Sequence, residues 1–139
     1  MALLRHVEGC FGCSTTNPAS LGIALTSTAD GAEGRVRFGR GAEGAPGLVH
    51  GGLLATFADE VMGFVPHGGN AVRLTAEMTI RYRRPTPVET ELVCRATPGE
   101  TSERRFTVNA VITAADDDTT VLAEVDATYV VLVPRETPA

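Results

Sequence analysis

Leu53, Leu54, Phe57, Ala58, Val61 and Phe64 recur at three- and four-residue intervals, with Gly52, Thr56, Asp59, Glu60 and Gly63 on the other side. That is the period of a helix with one apolar stripe. His50-Gly51-Gly52 opens it, and Pro66 with Gly68-Gly69-Asn70 closes it, because proline disfavours continuation and glycine supplies turn conformations. Beyond the turn the period drops to two. Met78, Ile80 and Tyr82 alternate with Glu77, Thr79, Arg81 and Arg83 until Pro85 and Pro87. Alternation returns from Glu91 to Ala96, from Phe106 to Thr113 and from Val121 to Val131, as strands with one buried face require.

Pro98-Gly99-Glu100 and Asp116-Asp117-Asp118 stand at hairpin-like separations and predict the loops of a meander. Upstream, Ile23 to Ala29 and Gly34 to Phe38 predict a hairpin around Asp30-Gly31, and Gly39 to Gly47 a glycine-rich loop. Residues 1–20, with the turn pair Asn17-Pro18, predict an irregular or briefly helical lead-in. One amphipathic helix and a long meander must bury the helix stripe on the concave face of the sheet. The expected class is therefore α+β, one domain over residues 1–139, with the helix as the filling of a curled antiparallel sheet.

Composition narrows the function. A net charge of −5, from 12 basic and 17 acidic side chains, argues against a nucleic-acid surface. Apolar runs fall well short of the roughly 20 residues that span a bilayer, and Met1-Ala2-Leu3-Leu4-Arg5-His6 has no signal-peptide core, so no membrane association and a cytoplasmic protein are expected. An odd count of cysteines, Cys10, Cys13 and Cys94, suits a reducing compartment. With no Trp and 5% aromatic residues there is little from which to build a stacking platform, which leaves recognition by shape and backbone donors.

The helix start supplies such donors: free amide N–H groups at the positive end of the peptide dipole can hold an oxyanion. Eight and nine positions after Gly51, Asp59 and Glu60 place carboxylates on a mostly apolar helix. At a rise of 1.5 Å per residue, the backbones of Gly51 and Asp59 stand about 12 Å apart along the axis. A substrate carbonyl held by Gly51 would take its acid or base from a second copy, which predicts an isologous dimer with two shared sites. Backbone polarisation of a carbonyl plus a carboxylate suits acyl transfer to water, and thioesters above all, because a thiolate leaves with little help from an acid.

His50-Gly51-Gly52, Asp59, the strand from Leu74 to Tyr82 and Pro85 together resemble the PaaI-like acyl-CoA thioesterases of the hotdog-fold superfamily, over about Leu21 to Val133. The resemblance implies a long central helix wrapped by a strongly curved antiparallel sheet, sheets joined edge to edge in a homodimer, and dimers paired into tetramers. It assigns the oxyanion donor to Gly51, the nucleophile or general base to Asp59 of the other subunit, a supporting role to His50, and to Thr75 the positioning of the attacking water. Neighbouring helix positions point about 100° apart, so only one of Asp59 and Glu60 can face the cleft squarely, and the resemblance favours Asp59. Some relatives carry an Asn before the His-Gly-Gly turn, where this chain reads Gly41-Ala42-Glu43-Gly44-Ala45-Pro46-Gly47.

Gly52 and Glu60 are further candidate substrate contacts, and Arg81, Arg83 and Arg84 form a basic run that could meet the phosphates of coenzyme A, with a solvated strand face as the alternative. Phe57, Met62, Phe64 or the loop before His50 could line the acyl pocket. Cys10-Phe11-Gly12-Cys13 has metal-ligand spacing, but a structural zinc site needs four ligands and no second such pair exists, so neither metal nor redox cofactor is expected. Asp116-Asp117-Asp118 reads as a hairpin tip. A hotdog hydratase or dehydratase, and a non-catalytic acyl-CoA binding or sensor protein on the same scaffold, are the competing functions.

Overall fold

A computed structural model describes residues 8–67 and 72–132. The expectations for Met1 to His6 and for the Gly68-Gly69-Asn70 turn lie outside the described residues. Strands β1 (Ala24–Ser27) and β2 (Ala32–Arg37) are followed by a single 3-10 turn (Arg40–Ala42) and the helix α1 (Gly51–Gly63). Then come β3 (Val72–Tyr82), β4 (Glu91–Thr101), β5 (Arg105–Ala114) and β6 (Ala123–Leu132). All pairings are antiparallel, in the order β1-β2-β4-β5-β6-β3. The chain thus leaves β2, crosses one face of the sheet as α1 and enters β3 at the far edge.

Alternation decides which face meets the helix. Leu54, Phe57, Ala58, Val61 and Met62 of α1 pack on inward residues such as Val36, Leu92, Cys94, Val108, Ile112 and Val125. Phe57, Val61 and Met62 are fully buried, and side chains of this kind contribute about 1.5–3 kcal/mol each by leaving water. Gly34 sits in β2 directly under the helix: a Cβ there would stand 2.2 Å from Val61 Cγ2. This strand glycine marks a close approach of helix to sheet.

Two local expectations need correcting. Pro98-Gly99-Glu100 is not a loop but part of β4, and the chain turns at Ser102, whose amide bonds the Arg105 carbonyl at 2.8 Å. The register shifts between Pro98 and Thr101, and the Glu100 amide bonds Thr107 Oγ1 at 2.9 Å. An irregularity of that kind accommodates a proline that has no N–H for the ladder. In β3, Ala76 is a bulge between Thr75 and Glu77. The inward set therefore runs Arg73 and Thr75 before the bulge and Met78, Ile80 and Tyr82 after it, so simple alternation from Tyr82 back to Thr75 would have assigned the wrong face.

The lead-in forms no helix over its described part but is tied down. Leu21 N–H bonds the Phe11 carbonyl at 2.7 Å and Ile23 N–H the Gly12 carbonyl at 2.9 Å, while Ser14 Oγ accepts from the amides of Thr16 and Asn17. Among the described residues no helix is long and apolar enough to cross a membrane.

Candidate active site

The mouth of α1 is held from three sides. Val49 N–H bonds the Thr86 carbonyl at 2.8 Å and His50 N–H the Ala42 carbonyl at 2.9 Å, which fixes the entering chain. His50 then caps the helix: its Nδ1 accepts from Gly52 N–H at 2.9 Å. An accepting Nδ1 carries no proton, so the neutral ring holds its proton on Nε2. The Leu53 amide is taken by the His50 carbonyl. Among the described residues this leaves the Gly51 N–H without an acceptor, at the positive end of the helix dipole. Tyr82, from the end of β3, donates to the Gly51 carbonyl at 2.7 Å and pins the first turn. A Cβ on Gly51 would stand 3.2 Å from that hydroxyl.

Two turns along the helix, Asp59 is gripped by a cross-strand pair. Thr75 Oγ1 donates to Asp59 Oδ1 at 2.6 Å and the Tyr129 hydroxyl to the same oxygen at 2.8 Å. Thr75 and Tyr129 stand opposite each other in β3 and β6. The Tyr129 hydroxyl also lies 3.0 Å from the Asp59 carbonyl. Burial, then the negative charge of Asp59 and its hydrogen bond, pushes the Tyr129 phenol above the usual range, so it remains a donor. Its ring stacks on Phe106 with centroids 5.2 Å apart, and Phe106 in turn stacks on His67 at 4.3 Å. Burial, and secondarily the charge of Arg73, lowers the His67 pKa. Arg73 closes the helix end by donating to the Gly63 carbonyl at 3.0 Å and to the Val65 carbonyl, cations there being favoured by the dipole.

Glu60 points elsewhere: its Oε1 accepts from Cys10 Sγ at 3.2 Å. An open cleft of about 430 Å³ beside the helix mouth is lined by Gly51, Leu54, Tyr82, Arg83, Arg84 and Thr86, among others. Thr86 is buried, and its hydroxyl has no hydrogen-bond partner among the described residues. A second recess, about 320 Å³, lies on the Gly52 side and is lined by Gly41, Ala42, Glu43, His50 and Leu53. Arg81 in β3 pairs with Asp126 in β6, and Arg83, just past β3, with Glu124 in β6, both at 3.0 Å, whereas Arg84 has no ion-pair partner among the described residues. Phe57 and Met62 are sealed inside the protomer, and Phe64 is half-buried.

The structure thus brings Asp59 and Thr75 together, and His50, Gly51 and Gly52 together, but not the two groups with each other. Asp59 lines neither recess. Sequence reasoning missed Tyr129, Tyr82 and Arg73. Tyr82 and Tyr129 did stand on predicted inward faces, and a polar tip on an inward aromatic side chain is a signal that it seeks a partner.

A six-stranded antiparallel sheet around one long helix, with donors at the helix mouth and a held carboxylate along it, defines the hotdog class of fold. The chain belongs to the thioesterase superfamily, whose family profile matches residues 46–121. Mouse acyl-coenzyme A thioesterase THEM4 is 30% identical over 94 residues, 68% of this chain and 40% of that protein. The thioesterase superfamily protein RHA08564 superimposes with a TM-score of 0.74 at 28% identity, over 84% of this chain and 60% of that one. The E. coli PaaI protein, from the phenylacetic acid degradation operon, gives 0.73 at 18% identity, over 81% of each. The chain spans about two fifths of the length of the mouse relative.

Proposed function

We propose that this protein is a thioester hydrolase that cleaves acyl-CoA to a free acid and coenzyme A. The observation that carries the reading is the Asp59 carboxylate, fixed through one oxygen by Thr75 and Tyr129. Its other oxygen has no side-chain donor among the described residues and is left for chemistry. The Gly51 amide of one protomer would polarise the thioester carbonyl. Asp59 of the other would attack that carbon, or remove a proton from the water that does, and collapse of the oxyanion breaks the carbon–sulfur bond and releases the thiolate; on the first route water then hydrolyses the acyl–Asp59 anhydride, which frees the acid and restores the carboxylate. No cofactor beyond the coenzyme A of the substrate is needed for these steps. Membership of the thioesterase superfamily and the name of the mouse relative support the substrate class.

The homodimer that this requires is supported by β3, an edge strand of 11 residues. Val72 and Leu74 on it, with Leu132 beside them, are 59%, 50% and 45% exposed. An open, apolar edge of that length invites a second strand. Pairing of β3 with its copy continues the sheet through both protomers, and dimers of this kind can pair again into tetramers. The protein would act as one domain in a reducing, cytoplasmic setting.

The test is release of free thiol from a panel of acyl-CoA esters by wild type and Asp59→Asn. Wild type should turn over at least one aryl or medium-chain ester, and the variant should lose turnover while remaining a dimer. Unchanged turnover in Asp59→Asn would remove the assignment of that residue. Tight binding of the panel without thiol release would favour a sensor instead.

A further inference from the structure

The cysteine pair of the lead-in has no part in the reaction proposed above, yet it is built against the same helix. Cys10 Sγ lies 3.2 Å from Glu60 Oε1, and Cys13 Sγ lies 3.4 Å from Cys10 Sγ. One ligand-type atom from each of the three residues falls within 4.8 Å of the other two. We infer that Cys10, Cys13 and Glu60 are three ligands of a zinc-class divalent cation that staples the lead-in to α1, one residue from Asp59.

Geometry favours this first. In a tetrahedral zinc site, bonds of about 2.3 Å to sulfur and 2.0–2.2 Å to a carboxylate oxygen put sulfurs roughly 3.8 Å apart and sulfur and oxygen roughly 3.5 Å apart. The Cys10–Glu60 and Cys10–Cys13 pairs need to open by only a few tenths of an ångström. The turn that carries the thiols is fixed by its own backbone: Ser14 N–H bonds the Cys10 carbonyl, and the carbonyls of Phe11 and Gly12 are taken by Leu21 and Ile23. Gly12 lies flat on Glu60, where a Cβ would come within 2.6 Å of the carboxyl group. A methyl group there would push the Glu60 carboxyl group aside.

The chemistry agrees. Cys13 is buried and Cys10 and Glu60 are half-buried, so three groups that each tend to an anion share one partly desolvated space. A divalent cation would neutralise them: binding converts two thiols to thiolates, releases two protons to solvent and leaves Glu60 as the third anionic ligand. Two sulfurs with one carboxylate select zinc over calcium or magnesium, which take oxygen only. A water completes the tetrahedron. Cys94, buried in β4, belongs to the core. Sequence spacing argued against a metal because no second cysteine pair exists, but the third ligand comes from the helix, 50 residues from Cys10.

The reduced 139-residue chain is stripped with a chelator and titrated with zinc and, separately, cobalt. The expected result is one metal per chain, a sulfur-to-cobalt charge-transfer band with tetrahedral visible bands, protection of two thiols from a disulfide reagent, and a higher melting temperature with zinc. Cys10→Ser should abolish the charge-transfer band or halve it. Glu60→Gln keeps both thiols and should weaken metal binding by at least about tenfold, which keeps the test decisive should Cys10→Ser fold poorly. Absence of saturable uptake by the wild type, or equal affinity in the wild type and Glu60→Gln, overturns the inference. None of these readouts depends on thioester hydrolysis, so the metal site and the proposed activity stand or fall separately.

Discussion

Replacing Tyr129 with Phe removes one oxygen from the grip on Asp59 and changes almost nothing else. The ring stays in its stack with Phe106, at 5.2 Å, and the site is only 2% exposed, so no methylene is lost from the core and no water readily replaces the hydroxyl. What disappears is the 2.8 Å hydrogen bond to Asp59 Oδ1. A hydrogen bond to a charged group is worth about 1.5–3 kcal/mol. If the carboxylate reacts only when held, that amount enters the barrier of the chemical step as a fall in kcat of roughly 10- to 100-fold. KM should hardly move, because the hydroxyl touches the carboxylate and not the substrate.

Thr75→Val provides the comparison. Thr75 makes the shorter bond, 2.6 Å, but stands exposed on the edge strand, where water can take its place, so a smaller loss is expected. Both donors end on the same oxygen, and the double variant should therefore lose less than the product of the two single losses. Stability is followed separately by thermal denaturation, because the Tyr129 hydroxyl also lies 3.0 Å from the Asp59 carbonyl. The assay is thiol release under saturating and limiting acyl-CoA. A Tyr129→Phe enzyme with kcat within about twofold of wild type, or with its whole loss in KM, would refute the account of how Asp59 is held.

Gly34→Ala forces a methyl to within 2.2 Å of Val61 Cγ2, and denaturant titration should show a loss of about 1–3 kcal/mol, the usual cost of overpacking. Arg84→Ala should raise KM for acyl-CoA in a salt-dependent way, whereas Arg81→Ala, which breaks only the exposed pair with Asp126, should leave KM unchanged; equal effects in initial-rate kinetics would place the phosphates elsewhere. Leu74→Lys puts a charge on the open edge of β3, and sedimentation should show monomers that retain their circular dichroism but have lost thiol release; a fully active monomer would end the shared-site reading.

Period alone made α1 and the inward faces of β4, β5 and β6 legible, because burial on one side is what those periods encode. The hairpin of β1 and β2 was legible from its turn residues. Gly34 was ambiguous in sequence because a strand glycine reads as a weakness until the helix above it is known. Tyr129 was invisible as a site residue for a related reason: its inward position is shared with Val125, Ala127 and Val131, and only the register that sets it opposite Thr75 brings two hydroxyls to one carboxylate. Glu60 could be separated from Asp59 by helix direction, but that it faces Cys10 depends on where the lead-in is strapped, which no local spacing records.

One strand joins most of these parts. Thr75, before the Ala76 bulge, holds Asp59, and Tyr82, at the end of the same strand, holds the first turn of α1 through Gly51. The bulge reconciles the two contacts, for without it residues seven positions apart would project to opposite faces, and only one of them could reach the helix. The same strand is the edge through which the proposed dimer forms. Pairing that edge with its copy would order β3, and on the proposed reading β3 would fix both the donor that a protomer lends to one site and the acid that it lends to the other. Assembly and catalytic competence are then coupled through backbone register, so variants that slip β3 should lose both together even when every residue that touches substrate is intact.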